Sequence, residues 1–133
     1  MLNASKKMIG EHDFFAFQKS GSNRTNSITK IKNIDIKRIE DLIFVDIKAT
    51  GFLYGMVRLI IGQLVLVGEN KISPEIFTDR LVNKKKNDVN ESAPAKGLCF
   101  VNAVYEENVF KKINNNDFFP VFLIKGFSGV SFN

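Results

Sequence analysis

The feature that most restricts the fold is the stretch from Phe52 to Val67, an almost unbroken apolar run with one charge, Arg58, bracketed by Gly51 and Gly68. It is shorter than the ~20 apolar residues a membrane-spanning helix needs, and its charge sits near the middle. The run predicts a buried helix ended by Gly68, against the strand preference of the β-branched residues from Ile60 onward. Helical spacing puts Gly55 and Gly62 on nearly the same face, with Arg58 beside it. Glycine at such positions lets another backbone or a ligand come close. A buried guanidinium needs an anion, because stranding one costs roughly 3–5 kcal/mol. Its helical neighbours Tyr54, Gly55, Ile61 and Gly62 include no acid. The partner must come from elsewhere in the chain, from a segment outside it or from substrate phosphate. The alternative is a side chain that snorkels to the helix surface.

Other elements arrange themselves around that helix. Met1 to Ile9 reads as a helix end stopped by Gly10, followed by a short aromatic-rich connection to Phe17 and a polar loop from Lys19 to Ser27. Ile34, Ile36 and, less regularly, Ile39 alternate with charged residues. After Glu40-Asp41, the positions Ile43, Val45, Ile47 and Ala49 share one face of a second run, which predicts an antiparallel hairpin with one wetter side. Ser73-Pro74-Glu75 combines an N-cap serine, a first-turn proline and a first-turn acid, so a helix should run from there to about Val82. Residues 83 to 90 form a basic polar loop with Lys84, Lys85 and Lys86, and Leu98 to Tyr105 reads as a closing strand. The tail after Tyr105 is mixed and receives no assignment. Together these predict an α+β fold: an antiparallel sheet with helices packed on one side.

With 133 residues, 44% of them hydrophobic and 25% charged, the chain can build one sizeable core. The formal net charge of +5 favours a polyanionic partner, since each phosphate contacted by Lys or Arg releases condensed counterions. Cys99 and His12 are the sole residues of their kinds, which excludes an intrachain disulfide, a thiolate zinc cluster and a metal site built on histidines. A reducing, cytoplasmic setting fits, and the start has no apolar core like that of a signal peptide.

The motifs then fall into a recognisable order. Gly10-Glu11-His12-Asp13-Phe14, Gly51-Phe52-Leu53-Tyr54 with Met56-Val57-Arg58, Gly62, Val67-Gly68 and Ser73-Pro74-Glu75 are followed by Ala93-Pro94-Ala95-Lys96-Gly97-Leu98 and Val104-Tyr105. This series resembles the tRNA pseudouridine synthase A family over about residues 5 to 105. The resemblance implies that residues 1–105 are the second half of a two-half catalytic domain, with residues 106–133 as an unassigned tail. It implies an isomerase that makes pseudouridine in the tRNA anticodon stem-loop without a cofactor, after the target nucleotide leaves its stack. The partners implied are tRNA, the N-terminal half of the same enzyme and a second copy in a homodimer. An aspartate in an Arg-Thr-Asp-Ala-Gly motif is the family's nucleophile. The arginine matching Arg58 pairs with it, and the leucine matching Leu98 packs near the target base.

Three departures follow. No Arg-Thr-Asp-Ala-Gly string occurs, the nearest being Arg24-Thr25-Asn26, so the nucleophile is expected on a half outside this chain. Position 55 is glycine where many relatives carry a larger residue, and Lys84-Lys85-Lys86 stands where an arginine-bearing loop is common. Lys84, Lys85 and Lys86 are candidates to hold RNA phosphates, or else form a solvated charge run. His12 is a candidate RNA contact, with a structural hydrogen bond the stronger expectation. Phe14, Phe15 and Phe17 are expected in the core rather than stacked on bases, and Asp35 and Asp46 on the wet face of the hairpin. A binding module that grips RNA or a partner without chemistry is the rival reading.

Overall fold

The computed structural model describes residues 1–22 and 24–104, and the backbone of residues 122–125. The elements are α1 (Leu2–Lys6), β1 (Gly10–Asp13), β2 (Ile28–Ile39), β3 (Leu42–Ala49), α2 (Met56–Gly68), α3 (Pro74–Val82) and β4 (Phe122–Lys125). The strands form one antiparallel sheet in the order β1-β2-β3-β4, and the helices lie on one face of it, an α+β architecture. No helix among the described residues is long and apolar enough to cross a membrane.

The β2–β3 hairpin is where alternation writes the structure most directly. Ile34, Ile36, Ile43 and Val45 point into the core. Ile31 is buried as well, three residues before Ile34, an odd spacing that a regular strand sends to opposite faces. A register shift between Ile31 and Asn33 resolves this by bulging the chain at Lys32, which returns both isoleucines to the inner face. Ile39, the less regular member of the alternation, is 58% exposed. Counting by two from Ile36 arrives at Arg38, and Ile39 falls outward opposite Leu42.

Helix α2 begins at Met56, four residues later than its apolar composition suggests. Gly55 sits at φ +69°, a left-handed conformation that no α-helix can pass through, so Phe52 to Gly55 form a turn and not a first helical turn. Met56, Ile60, Ile61 and Leu64 are fully buried, which makes α2 the central rod of the core. Phe14, Phe17 and Phe77 continue that core as a chain of edge-to-face rings 6.2 and 6.0 Å apart, joining the turn at residues 15–17 to α3. Helix α3 starts where its signals place it: the Ser73 hydroxyl accepts from the Ile76 N–H at 3.3 Å and Pro74 takes the first helical position.

Two local expectations are corrected. Gly10–Asp13 is an edge strand, paired from Gly10↔Ile31 to Asp13↔Ile28, not part of an irregular connection. Leu98 to Val104 is not a strand, and Tyr105 lies outside the described residues. Phe100 and Val104 are 80% and 90% exposed. Strand preference alone does not make a strand, and the edge of β3 is paired with β4 instead.

Candidate functional site

The turn before α2 gathers polar groups from distant parts of the chain. Thr29 donates its hydroxyl to the Gly51 carbonyl at 2.8 Å, which ties the turn to β2. Arg24 lies alongside Gly51, with Nη1 3.7 Å from where a Cβ would stand, and Gln18 Nε2 donates to the Arg24 carbonyl. The Lys19 N–H donates to the Tyr54 carbonyl at 3.0 Å. Its stem crosses Gly55, and its ammonium donates to Ser92 Oγ at 3.2 Å.

Arg58 sits in the first turn of α2, half-buried. Its Nε donates to the Ala93 carbonyl at 2.8 Å, while the Ala93 N–H donates to the Arg58 carbonyl at 2.9 Å. This reciprocal pair fixes one edge of the guanidinium, and neither Nη group makes a hydrogen bond among the described residues. Among the described residues no carboxylate forms an ion pair with Arg58, Lys19 or Arg24. The segment carrying Ala93 reaches Arg58 by crossing α2 at Gly62. A Cβ there would stand 2.3 Å from the Glu91 carbonyl oxygen, so only glycine admits that crossing. The backbone that comes close at Gly62 is therefore the chain's own.

The lysine run is arranged differently. Lys84 pairs with Asp13 at 2.6 Å, Lys85 pairs with Asp79 at 2.5 Å, and the Lys86 ammonium stands 4.9 Å from the centre of the exposed Phe15 ring. Burial alone would raise the Asp13 carboxyl. Hydrogen bonds from Lys84, Ser27 and the Phe15 N–H, together with the Lys84 charge, outweigh it and hold Asp13 below its ordinary range. Lys85 and Asn83 lower Asp79 in the same way. These lysines and Phe15 line an open hollow of about 500 Å³ with Asn87 and Asp88.

Residues 4–106 match the family described as tRNA pseudouridine synthase. The chain belongs to that family. It is 94% identical over 128 residues to the tRNA pseudouridine synthase A of Prochlorococcus marinus (strain MIT 9301), an alignment covering 96% of this chain and 48% of the relative. It is 91% identical over 128 residues to that of strain AS9601, again 96% and 48%. It is 42% identical over 124 residues to that of Parasynechococcus marenigrum (strain WH8102), covering 93% and 42%. The chain thus spans about half the length of the curated relatives it matches.

The residues singled out by the tRNA pseudouridine synthase pattern fall in different surroundings. Arg58 lies in the first turn of α2, and Leu98 lies five residues beyond Ala93, 42% exposed, its N–H donating to the Ala95 carbonyl at 3.0 Å. Lys84, Lys85 and Lys86 are a separate group, on the side of β1 and α3. His12 Nε2 donates to the Ile9 carbonyl at 3.3 Å, and the ring meets Phe14 edge-on. Phe14 and Phe17 are fully buried, whereas Phe15 is outside. Asp35 pairs with Lys37 at 3.0 Å on the outer sheet face. Lys19 and Arg24 escaped the sequence reading because they lie in a polar loop without local pattern. The faint signal was Gly55, whose missing side chain makes room for Lys19.

Proposed function

We propose that this chain forms the second half of the catalytic domain of an enzyme that converts uridine to pseudouridine in the tRNA anticodon stem-loop. One observation carries the reading: a half-buried guanidinium, fixed through Nε to a backbone carbonyl, whose Nη donors face no carboxylate among the described residues. Such a group is prepared for an anion from outside, and the family pattern supplies one, the nucleophilic aspartate of the other half. Arg58 then holds that carboxylate by planar, two-pronged pairing. The aspartate attacks the extruded nucleotide, the bond between ribose and uracil N1 breaks, uracil is rejoined through C5, and the bond to the aspartate is cleaved so that the carboxylate is restored. N1 gains a proton and C5 loses one, so the isomerisation balances without a cofactor.

In this reading Leu98 offers an exposed apolar surface beside the flipped base. His12, Lys84, Lys85 and Lys86 contact RNA at the periphery, and the three lysines must first release Asp13, Asp79 and the Phe15 ring. The complete enzyme acts on tRNA in the cytoplasm as a homodimer. The test is Arg58→Ala and Arg58→Lys in the complete enzyme, with pseudouridine measured by chemical tagging and tRNA binding measured separately. Both variants should lose turnover while binding persists in part, because binding is spread over many phosphates. Near-normal turnover in Arg58→Ala would remove Arg58 from the active site.

A further inference from the structure

The segment that orients Arg58 has no regular structure of its own. Residues 91–94 belong to neither a helix nor a strand, yet Ala93 holds the Nε edge of the guanidinium. Two attachments come from α2: the crossing at Gly62 and the reciprocal Arg58–Ala93 pair. The third comes from Lys19, whose ammonium makes the one side-chain hydrogen bond to Ser92 found among the described residues. Ser92 is the immediate neighbour of Ala93.

The path of Lys19 is set by glycine. Its Cγ and Cδ both lie 2.7 Å from where a Cβ on residue 55 would stand, and its Cβ lies 3.3 Å away. A side chain at residue 55 and the observed Lys19 stem therefore exclude each other. The two residues are a matched pair: Gly55 leaves the channel, and Lys19 fills it to reach the far side.

We propose that Lys19 is a positioning residue for Arg58, acting through Ser92 and Ala93, and that Gly55 is required because Lys19 passes over it. This rests on the role assigned to Arg58 above. An ammonium hydrogen bond leaves the Ala93 carbonyl where it aligns the guanidinium. Its loss lets the segment drift and the guanidinium with it. The effect belongs to the chemical step, not to the grip on RNA.

The experiment is a pair of double-mutant cycles in the complete enzyme, with turnover and tRNA affinity measured for each variant. Lys19→Met keeps most of the stem and removes the donor. It should lower kcat about tenfold, the scale of one hydrogen bond to a charged group, with KM and the salt dependence of binding nearly unchanged. In an Arg58→Ala background, Lys19→Met should add no further loss, since its target is gone. A rise in KM at unchanged kcat, or losses that add in full, would overturn the proposal by making Lys19 an independent RNA contact.

The second cycle is read from folding and activity together. Asparagine tolerates the left-handed backbone of residue 55, so the main fault of Gly55→Asn is its collision with Lys19. Combining it with Lys19→Ala should raise Tm and restore the fit at residue 55 relative to Gly55→Asn alone. Equal or lower Tm in the double variant would break the matched pair. An unmutated enzyme that makes no pseudouridine would sink the functional reading instead, and the Gly55 cycle would still decide the packing claim.

Discussion

Two cationic regions of this molecule make opposite use of their charge. Lys84, Lys85 and Lys86 are consecutive, so any scan of the sequence stops at them. In space the run is largely neutralised, with Asp13 on Lys84, Asp79 on Lys85 and the Phe15 ring under Lys86. Lys19, Arg24 and Arg58 are scattered along the chain and draw no attention as a group. Lys19 and Arg24 lie against the turn that precedes α2, Arg58 lies in the first turn of α2 itself, and no carboxylate pairs with any of them among the described residues. Charge density along a sequence measures how many cations there are, whereas binding an external anion depends on how many lack an internal one. The lysine run also joins β1, α3 and the turn at residues 15–17 to one another, a structural task that the scattered group does not share.

The sharpest test of this contrast compares one arginine with three lysines. Arg58→Ala should lower turnover of the complete enzyme by about 100- to 1000-fold, the range for losing one preorganised hydrogen-bond donor. The triple change of Lys84, Lys85 and Lys86 to alanine should leave turnover at saturating tRNA within a few-fold of normal. Similar losses in both variants would erase the distinction between the regions.

Gly62→Ala comes next and acts on stability as well as on the site. Alanine gains about 1 kcal/mol in helix propensity over glycine. Against this, the new Cβ would stand 2.3 Å from the Glu91 carbonyl, and a backbone atom cannot rotate out of the way. Overpacking of this kind costs typically 1–3 kcal/mol, so the collision should win and Tm should fall. Turnover should fall beyond what the lost stability explains, because the Ala93 carbonyl moves with the segment. A higher Tm would show that residues 91–93 yield easily and do not fix Arg58.

Salt titration of tRNA binding resolves the lysine run itself. Three free phosphate contacts would reduce the slope of log K against log salt by roughly 0.7–0.9 each. The triple alanine variant should lose distinctly less than the sum, because two of its lysines must abandon carboxylates to bind. A full reduction would establish all three as direct phosphate contacts.

The smallest effect is a pH-dependent one at Lys84. Asp13 titrates below its ordinary 3.8 in the folded protein. A carboxylate lowered in this way adds stability that is present above its unfolded value and is lost as pH falls through the folded one. Lys84→Met removes a main cause of the lowering. The ion pair is half exposed on the lysine side, so solvent screening limits the cost to about 1 kcal/mol or less. The gap in stability between the two proteins should be greatest at neutral pH and close as pH drops below about 4. A gap that stays constant across that range would show the contribution of Lys84 to be packing and not charge.

Local rules carried much of the fold. Alternation at Ile34, Ile36, Ile43 and Val45 determined the inner face of the hairpin, and Ser73-Pro74-Glu75 determined the start of α3, because each depends on neighbours within a few residues. The motif series determined the family, and the lone charge in an apolar run marked Arg58 as a residue in need of a partner. Tertiary structure decided what depends on distant segments. The helix start at Met56 follows from the left-handed turn at Gly55, and the bulge at Lys32 follows from which isoleucines the core accepts. Leu98 to Val104 stayed out of the sheet, and the distant segment Phe122–Lys125 took the edge of β3 instead. The nearest contacts of Arg58, Lys19 and the lysine run were likewise decided in three dimensions, since hydrogen bonds and ion pairs act over a few ångströms whatever the separation along the chain.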